Sequence, residues 1–179
     1  MFVSLPDKNV TFSVVLHPNL PLGEVQVFSL LAGVVVARVL ENYVSKVRLK
    51  WPNDVLVRGK KICGILLETI TIAEQQFPVL ILGIGLNTKG FFKEYPHELQ
   101  DIVTTLEAEM LSNSKPFSGS EVALPPENEI VFQLLLKELE CCFEEFSYDK
   151  PNSPENEKPT GGRSALFQEW LKRSEAIGR

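Results

Sequence analysis

The sequence predicts an α+β domain in which a mixed β-sheet is flanked by helices. Three observations indicate this fold class: several short β-branched or apolar runs, two helical patterns, and no strict alternation between the two kinds of element. The chain has 179 residues, is 44% hydrophobic and 23% charged, and so fits one ordinary globular domain. We therefore interpret residues 1–179 as a single domain.

The predicted strands are rich in β-branched and apolar residues and are bounded by turn residues. They are Thr11–Leu16, Val47–Lys50, Asp54–Val57, Ile62–Leu67 and Phe77–Leu86. Arg58-Gly59-Lys60 predicts a hairpin turn, because glycine adopts positive φ at little cost. The last run is almost continuously apolar, which predicts cover on both faces. Gly83 and Gly85 remove side chains within it and permit close approach of a ligand or another backbone.

Four segments predict helices. Gly23–Tyr43 is expected to be a core helix lying on the sheet, with Leu22 among its inward residues. Asp101–Met110 predicts a short helix, and Ala165–Ser174 predicts a final one. Glu127–Phe146 is amphipathic; the residues expected to face inward are Ile130, Leu134, Leu135, Leu139, Cys142 and Phe146. Residues 111–126 and 147–162 are rich in proline and polar residues, which predicts a surface loop and a mobile loop.

Composition argues against several classes of function. A formal charge of −5 and a pI near 5.2 disfavour nucleic-acid binding driven by net charge. Cys63, Cys141 and Cys142 form neither a disulfide framework nor a CxxC metal motif, so we expect no metal site. The longest apolar run, Leu30–Leu40, contains Arg38 and is short for a bilayer span. A cytoplasmic protein without a membrane or DNA partner is the expectation.

The chain is organised around Lys50–Glu68, which carries the letters KWPNDVLVRGKKICGILLE. A polar corner at residues 51–54 separates two strand-like runs, since Pro52 cannot donate a ladder hydrogen bond. Asn53, Asp54 and Lys61 are therefore expected to project from neighbouring strands of one sheet.

This segment closely resembles the catalytic core of biotin protein ligases. The resemblance rests on KWPND, on a lysine seven residues later, on the Gly-Ile-Leu strand that follows, and on the strand ending in Gly83–Asn87, GIGLN. It extends from about Phe2 to the C-terminal helix and is strongest from Arg48 to Asn87. It implies a fold like that of the class II aminoacyl-tRNA synthetases.

The resemblance implies a two-step ligase reaction. Biotin and ATP, with Mg²⁺, form biotinyl-5′-AMP, and a lysine of a biotin carboxyl carrier domain then accepts the biotinyl group. Lys61 matches the family lysine that contacts the biotin carboxylate and the phosphoryl oxygens. Asp54 is placed to orient the target amine or to accept its proton. The alternatives are an exposed turn lysine and an Asx-type turn. A homodimer is also expected, since some family members dimerise through their sheets.

Six further residues are candidates for substrate or nucleotide binding. By resemblance Asn53 and Asn87 face the nucleotide, while Gly64 and its neighbour Ile65 let biotin lie against bare backbone. Lys50 either adds positive charge or pairs with Asp54. Trp51 is either a wall of the site or, as we favour, a packing anchor at the corner.

Two family parts are not found in the sequence. No Gly/Arg-rich run of the GRGRxGR kind precedes the first strand, and Ala176–Arg179 resembles the entry to a small C-terminal β-barrel that does not follow. We therefore expect a catalytic-domain fragment with a partial adenylate site: truncated, one half of a split enzyme, or degenerate. The rival functions are a non-catalytic scaffold that pairs its open sheet edge with a partner, and a lipoate-type acyl ligase.

Overall fold

The structure is a computed structural model that describes residues 6–113, 124–147 and 162–175. The start of the resemblance at Phe2, the tail Ala176–Arg179 and nearly all of the predicted mobile loop 147–162 lie outside the described residues.

The centre of the fold is a five-stranded sheet in the order β1-β5-β4-β3-β2. The strands are β1 (Asn9–Leu16), β2 (Val47–Lys50), β3 (Asp54–Val57), β4 (Lys60–Ile70) and β5 (Val79–Asn87). The α+β class is confirmed, but each pair of neighbours is antiparallel rather than mixed. Short turns join β2 to β5 in succession, and a parallel pair would need a crossover of a dozen or more residues. Parallel pairing occurs at two isolated bridges, Leu49–Ser174 and Lys61–Val103.

Within the described residues, four helices accompany the sheet: α1 (Val27–Leu40), α2 (Leu106–Asn113), α3 (Asn128–Ser147) and α4 (Gly162–Arg173). Three details of the prediction are wrong. Leu22 lies in a short 3-10 turn and is exposed, so α1 begins later than expected. Residues 101–105 are not helical, and α2 instead continues to Asn113, into the segment predicted as a surface loop. Ile130 is exposed, because the buried stripe of α3 begins at Val131.

Helix α1 is the core helix. Eleven of its residues are buried, and it packs on one face of the sheet, with Gly33 close to Leu49 and Ile65. By length and composition alone the segment Leu22–Leu40 would suffice to cross a membrane. In this fold its apolar surface is instead covered by the sheet, α3 and α4.

A charged cluster joins α1, α3 and α4. Arg38 donates to Glu138 and Glu169 at 2.8 and 2.5 Å and lies 3.4 Å from Glu145. Its side chain is 22% exposed, so these pairs are shielded from water. The hydrogen bond from Arg38 holds the pKa of Glu169 below its ordinary value. Arg173 extends the cluster within α4. The cluster therefore ties the last described helix to the core.

Candidate active site

The sheet face opposite α1 carries a cleft floored by glycines. Gly64 lies directly opposite Gly85, and Gly83 lies between Leu66 and Ser13 on the flanking strands. The cleft has a volume of about 340 Å³. Its lining residues are Thr11, Phe12, Ser13, Asn53, Lys61, Gly64, Ile65, Leu66, Gly83, Ile84 and Gly85. Because glycine has no side chain, a ligand here meets the backbone of two adjacent strands.

A β-bulge brings Lys61 to this face. Between Lys61 and Cys63 the pairing of β4 with β3 slips by one residue, so Ile62 is the extra residue. Side chains alternate along a strand, and regular pairing would direct Lys61 to the side opposite Gly64 and Asp54. The slip reverses this, and Lys61 lines the cleft on the same face as Asp54.

Lys61 and Asp54 form an ion pair at the edge of the cleft. The distance from Lys61 Nζ to Asp54 Oδ1 is 2.5 Å, and the two side chains are 29% and 23% exposed. Lys50 lies opposite Asp54 on β2, but the carboxylate meets Lys61 instead. Lys61 is thus not an isolated turn lysine, and Asp54 has a charged partner.

A second cavity, of about 370 Å³, adjoins the first at Lys61, which lines both, and Asp54 lines the second. Its described lining is Lys50, Asp54, Leu56, Gly59, Lys61, Asn87, Tyr95, Leu99, Ile102, Val103 and Glu175. Burial raises the pKa of Tyr95. The ion pair therefore stands at the junction of a glycine-floored cleft and a more enclosed pocket.

The two candidate asparagines lie in different cavities. Asn53 lines the glycine cleft, where its side chain donates to the carbonyl of Ile65 at 2.8 Å. Asn87 lines the second cavity, is 3% exposed, accepts from Asn9 at 2.7 Å and donates to the carbonyl of Thr104 at 3.1 Å. Both amides hold neighbouring segments in place, so they shape the site as well as line it.

Trp51 is placed differently from its favoured role, whereas Ile65 is placed as expected, with its backbone at the cleft. Trp51 is 67% exposed, so the favoured interpretation as a packing anchor is wrong. The Ile65 side chain is 3% exposed and packs toward Gly33 of α1, so Ile65 offers only its backbone to the cleft. Cys63 is also buried, and burial raises the pKa of its thiol to about 12. It therefore presents no reactive thiolate at neutral pH.

Sequence reasoning missed the segment that supports Lys61, here called the strap, residues 102–104. The Lys61 N–H donates to Ile102 at 2.8 Å, and the Thr104 N–H donates to the Lys61 carbonyl at 2.9 Å. The strap lies beside β4 at Lys61. The pairing of β4 with β5 ends at Cys63, two residues further along β4. One signal could have located it: Thr105 caps α2 by accepting from the Ala108 N–H, so the helix begins after it.

The family model and the sequence relatives that match this chain all point to biotin or lipoate protein ligases. Residues 2–87 match the biotin/lipoate A/B protein ligase family. The bifunctional ligase/repressor BirA of Bacillus subtilis is 39% identical over 100 residues, covering 55% of this chain and 30% of that protein. A biotin–[acetyl-CoA-carboxylase] ligase of Mycobacterium tuberculosis is 39% identical over 93 residues, 52% of this chain and 27% of that protein. The chain thus spans about a third of the length of these relatives.

Solved structures agree on the fold. Biotin protein ligase from Aquifex aeolicus matches 96% of this chain and 64% of its own, with a TM-score of 0.69 and 22% identity. The same ligase in complex with biotin and ATP matches 80% of this chain and 53% of its own, with a TM-score of 0.59 and 27% identity. Residues 2–87, close to half of this chain, therefore match the biotin/lipoate A/B protein ligase family and are similar in sequence to BirA.

Proposed function

We propose that the two adjoining cavities form the biotin and adenylate site of a biotin protein ligase. The observation that carries the proposal is the Lys61–Asp54 ion pair at their junction. A relative solved with biotin and ATP and the ligase names of the sequence relatives support the same activity. In this proposal biotin occupies the glycine cleft, and the nucleotide occupies the cavity that contains Asn87.

In the first step the biotin carboxylate attacks the α-phosphorus of ATP, an acyl–phosphate bond forms, and pyrophosphate leaves. Both reacting groups are anionic, so the step needs a fixed cation where they meet. Lys61 supplies that cation, and its position between the cavities matches the place where carboxylate and phosphate would meet. Lys50 lines the nucleotide cavity and adds positive charge at its edge.

In the second step a carrier lysine attacks the acyl carbon, and AMP leaves. The attacking amine must lose a proton, and Asp54 is the acceptor we assign. Its carboxylate is partly exposed beside the junction, so an amine entering from solvent can approach it. The exposed Trp51 lies three residues before it, at the rim where a carrier domain would arrive. A biotin carboxyl carrier domain is the macromolecular partner in this proposal, and the cytoplasm is its setting.

Mg²⁺ enters the proposal as the counter-ion of ATP. In the ranges 6–113, 124–147 and 162–175, no group of three or more His, Cys, Asp or Glu side chains gathers to hold a metal. Asp54, at the junction, is engaged by Lys61. The residues described thus fit a metal that arrives on the triphosphate better than one held by the protein.

Calorimetric titration tests the proposal. The purified chain is titrated with biotin and then with a non-hydrolysable biotinyl-adenylate analogue. We expect Lys61→Ala to weaken analogue binding by about 2 kcal/mol, the scale of a lost charged hydrogen bond. Lys60→Ala is the matched control, since it removes a lysine one position away that lines neither cavity. Absence of heat with either ligand from folded protein would contradict the proposal.

A lipoate-type acyl ligase is the second candidate, because the matched family includes lipoate ligases. The KWPND resemblance favours biotin. Competition between biotin and lipoate for the analogue-binding site separates the two, since a lipoate ligase would lose the analogue to lipoate at the lower concentration. A scaffold acting through the open edge of β1 predicts tight association with another chain and no response to either ligand.

A further inference from the structure

The β-bulge that directs Lys61 into the site is closed by hydrogen bonds from outside the β3–β4 hairpin. On the N-terminal side of Cys63, β4 no longer pairs with β5. The strap pairs with β4 there instead, at Lys61. It accepts from the Lys61 N–H and donates to the Lys61 carbonyl. A bulge locally disrupts the ladder, so the direction of the Lys61 side chain depends on these two bonds.

The buried carboxylate of Glu109 in turn binds the strap. Thr104 is 6% exposed, and its hydroxyl donates to Glu109 Oε1 at 2.7 Å. Glu109 is 7% exposed and sits in the first turn of α2, where the helix dipole favours a negative charge. Its other oxygen lies 3.6 Å from Arg58 Nε in the turn between β3 and β4. Glu109 thus contacts the two segments that flank Lys61: the strap, through Thr104, and the turn between β3 and β4, through Arg58.

We propose that Glu109 is a positioning residue for Lys61. Glu109 fixes the hydroxyl of Thr104, Thr104 fixes the strap, and the strap fixes Lys61, the residue before the bulge, whose ammonium group faces Asp54. Glu109 lines neither cavity, so it acts through Lys61 and not on a ligand. The proposal deepens the proposed function and rests on it where ligand affinity is concerned; the placement of Lys61 is testable without any ligand.

A buried carboxylate also stabilises the fold, so the test must separate positioning from stability. Glu109→Ala removes the acceptor for Thr104. Glu109→Gln keeps an oxygen that accepts the same hydroxyl proton, and Thr104→Val removes the hydroxyl at constant shape. Val131→Ala is the stability control, because Val131 is a fully buried residue of a different element, α3.

The first measurement needs no ligand. Lysines are ¹³C-dimethylated, which preserves their charge, and the Lys61 signal is assigned by its loss in Lys61→Arg. We expect Glu109→Ala and Thr104→Val to move that signal toward its position in Asp54→Asn, whereas Glu109→Gln and Val131→Ala leave it in place. An unmoved signal in both folded strap variants would overturn the proposal. If Glu109→Ala does not fold, Thr104→Val carries the test.

The second measurement is a double-mutant cycle in analogue binding. We expect Glu109→Ala to weaken binding about tenfold in the wild-type background and to have no further effect beside Lys61→Ala. Equal loss in both backgrounds would show that Glu109 does not act through Lys61 and would overturn the proposal. If the unaltered chain binds no analogue, the proposed ligase function fails, and the Lys61 signal alone decides the positioning.

Discussion

Lys61 Nζ lies 2.5 Å from Asp54 Oδ1 across the β3–β4 pair, and one extra residue in β4 makes this meeting possible. The pair has a consequence for binding. Without ligand the Lys61 charge is already balanced by a neighbouring carboxylate, so an incoming anion must share Lys61 with Asp54. The same pairing holds the ammonium group at the junction of the cavities. Asp54 therefore opposes anion binding while it orients the cation.

Asp54→Asn is expected to separate binding from transfer. The substitution removes a negative charge beside Lys61, so analogue affinity should be unchanged or rise several-fold, since less charge competes for the cation. Transfer of biotin to a carrier lysine should fall by about 10²–10⁴-fold, the usual contribution of a general base. Calorimetry measures the first effect, and single-turnover transfer from supplied biotinyl-AMP measures the second.

Lys50→Ala is the control for this separation. Lys50 on β2 lies opposite Asp54 on β3, but the ion pair of Asp54 is with Lys61. The substitution should weaken nucleotide binding while leaving single-turnover transfer at saturating adenylate within about threefold, a change below 1 kcal/mol. Equal rates of transfer in Asp54→Asn and the unaltered chain would exclude Asp54 as the proton acceptor.

Gly83→Ala is expected to block the cleft without damaging the fold. A methyl group at Gly83 would meet Leu66 and Ser13 at 3.6 Å, which is ordinary van der Waals contact. The free energy of unfolding should therefore change by less than about 1 kcal/mol, in either direction. Biotin affinity should fall about tenfold or more, because the methyl group stands on the floor where the ligand meets bare backbone.

Gly23→Ala is the matched control, since a methyl group there meets nothing within 4 Å and the site lies elsewhere. Its biotin affinity should equal that of the unaltered chain. Undiminished binding by Gly83→Ala would show that biotin does not occupy the glycine cleft.

The local strand and turn signals made much of this fold predictable. The hairpin turn follows from Arg58 and Gly59, which adopt φ of 50° and 81°. The predicted extent of α3 is confirmed within one residue at each end. The expectation that Asp54 and Lys61 project from neighbouring strands is also confirmed, whereas Asn53, expected beside them, lies in the turn before β3. These features depend on residues close in sequence, where propensity and capping act directly.

Features that depend on distant contacts were not predictable in the same way. The bulge at Ile62 has no local signature, because it is closed by the strap forty residues later. The favoured prediction makes Trp51 a packing anchor at the corner, but the Trp51 side chain is exposed to solvent. The antiparallel pairing from β2 to β5 follows from the short connections between these strands, which the periodicity of single strands does not report.

Arg38→Met is expected to destabilise the chain by about 3 kcal/mol, because it leaves three carboxylates facing one another without their cation. Those carboxylates belong to Glu138, Glu145 and Glu169. Urea unfolding followed by circular dichroism measures the loss. Arg48→Met is the control: Arg48 is exposed and, among the residues that the structure describes, donates only to the adjacent Val47 carbonyl, so we expect a change below about 0.5 kcal/mol. Equal stability of the two variants would show that the cluster contributes nothing net.

Thiol labelling should distinguish the three cysteines. Cys63 and Cys142 are buried, and burial raises the pKa of each thiol to about 12, whereas Cys141 is exposed. At pH 8 we expect Ellman's reagent to react rapidly with one thiol per folded chain and with three after unfolding in urea. Cys141→Ser should abolish the rapid phase. Rapid reaction of a second thiol in that variant would contradict the burial of Cys63 or Cys142.

Acid should weaken the helix cluster through Glu169. The pKa of Glu169 is lowered from 4.5, chiefly by the hydrogen bond from Arg38, so the unfolded chain binds this proton more readily than the folded chain. The stabilisation is therefore fully present above about pH 4.5 and is lost as pH falls through the lower folded value. Glu169→Gln should be less stable at pH 7 and should lose less stability between pH 5 and 3, in urea unfolding at each pH. Glu98→Gln, in an exposed turn, controls for the loss of one carboxylate, and the same pH slope in both variants would contradict the assignment.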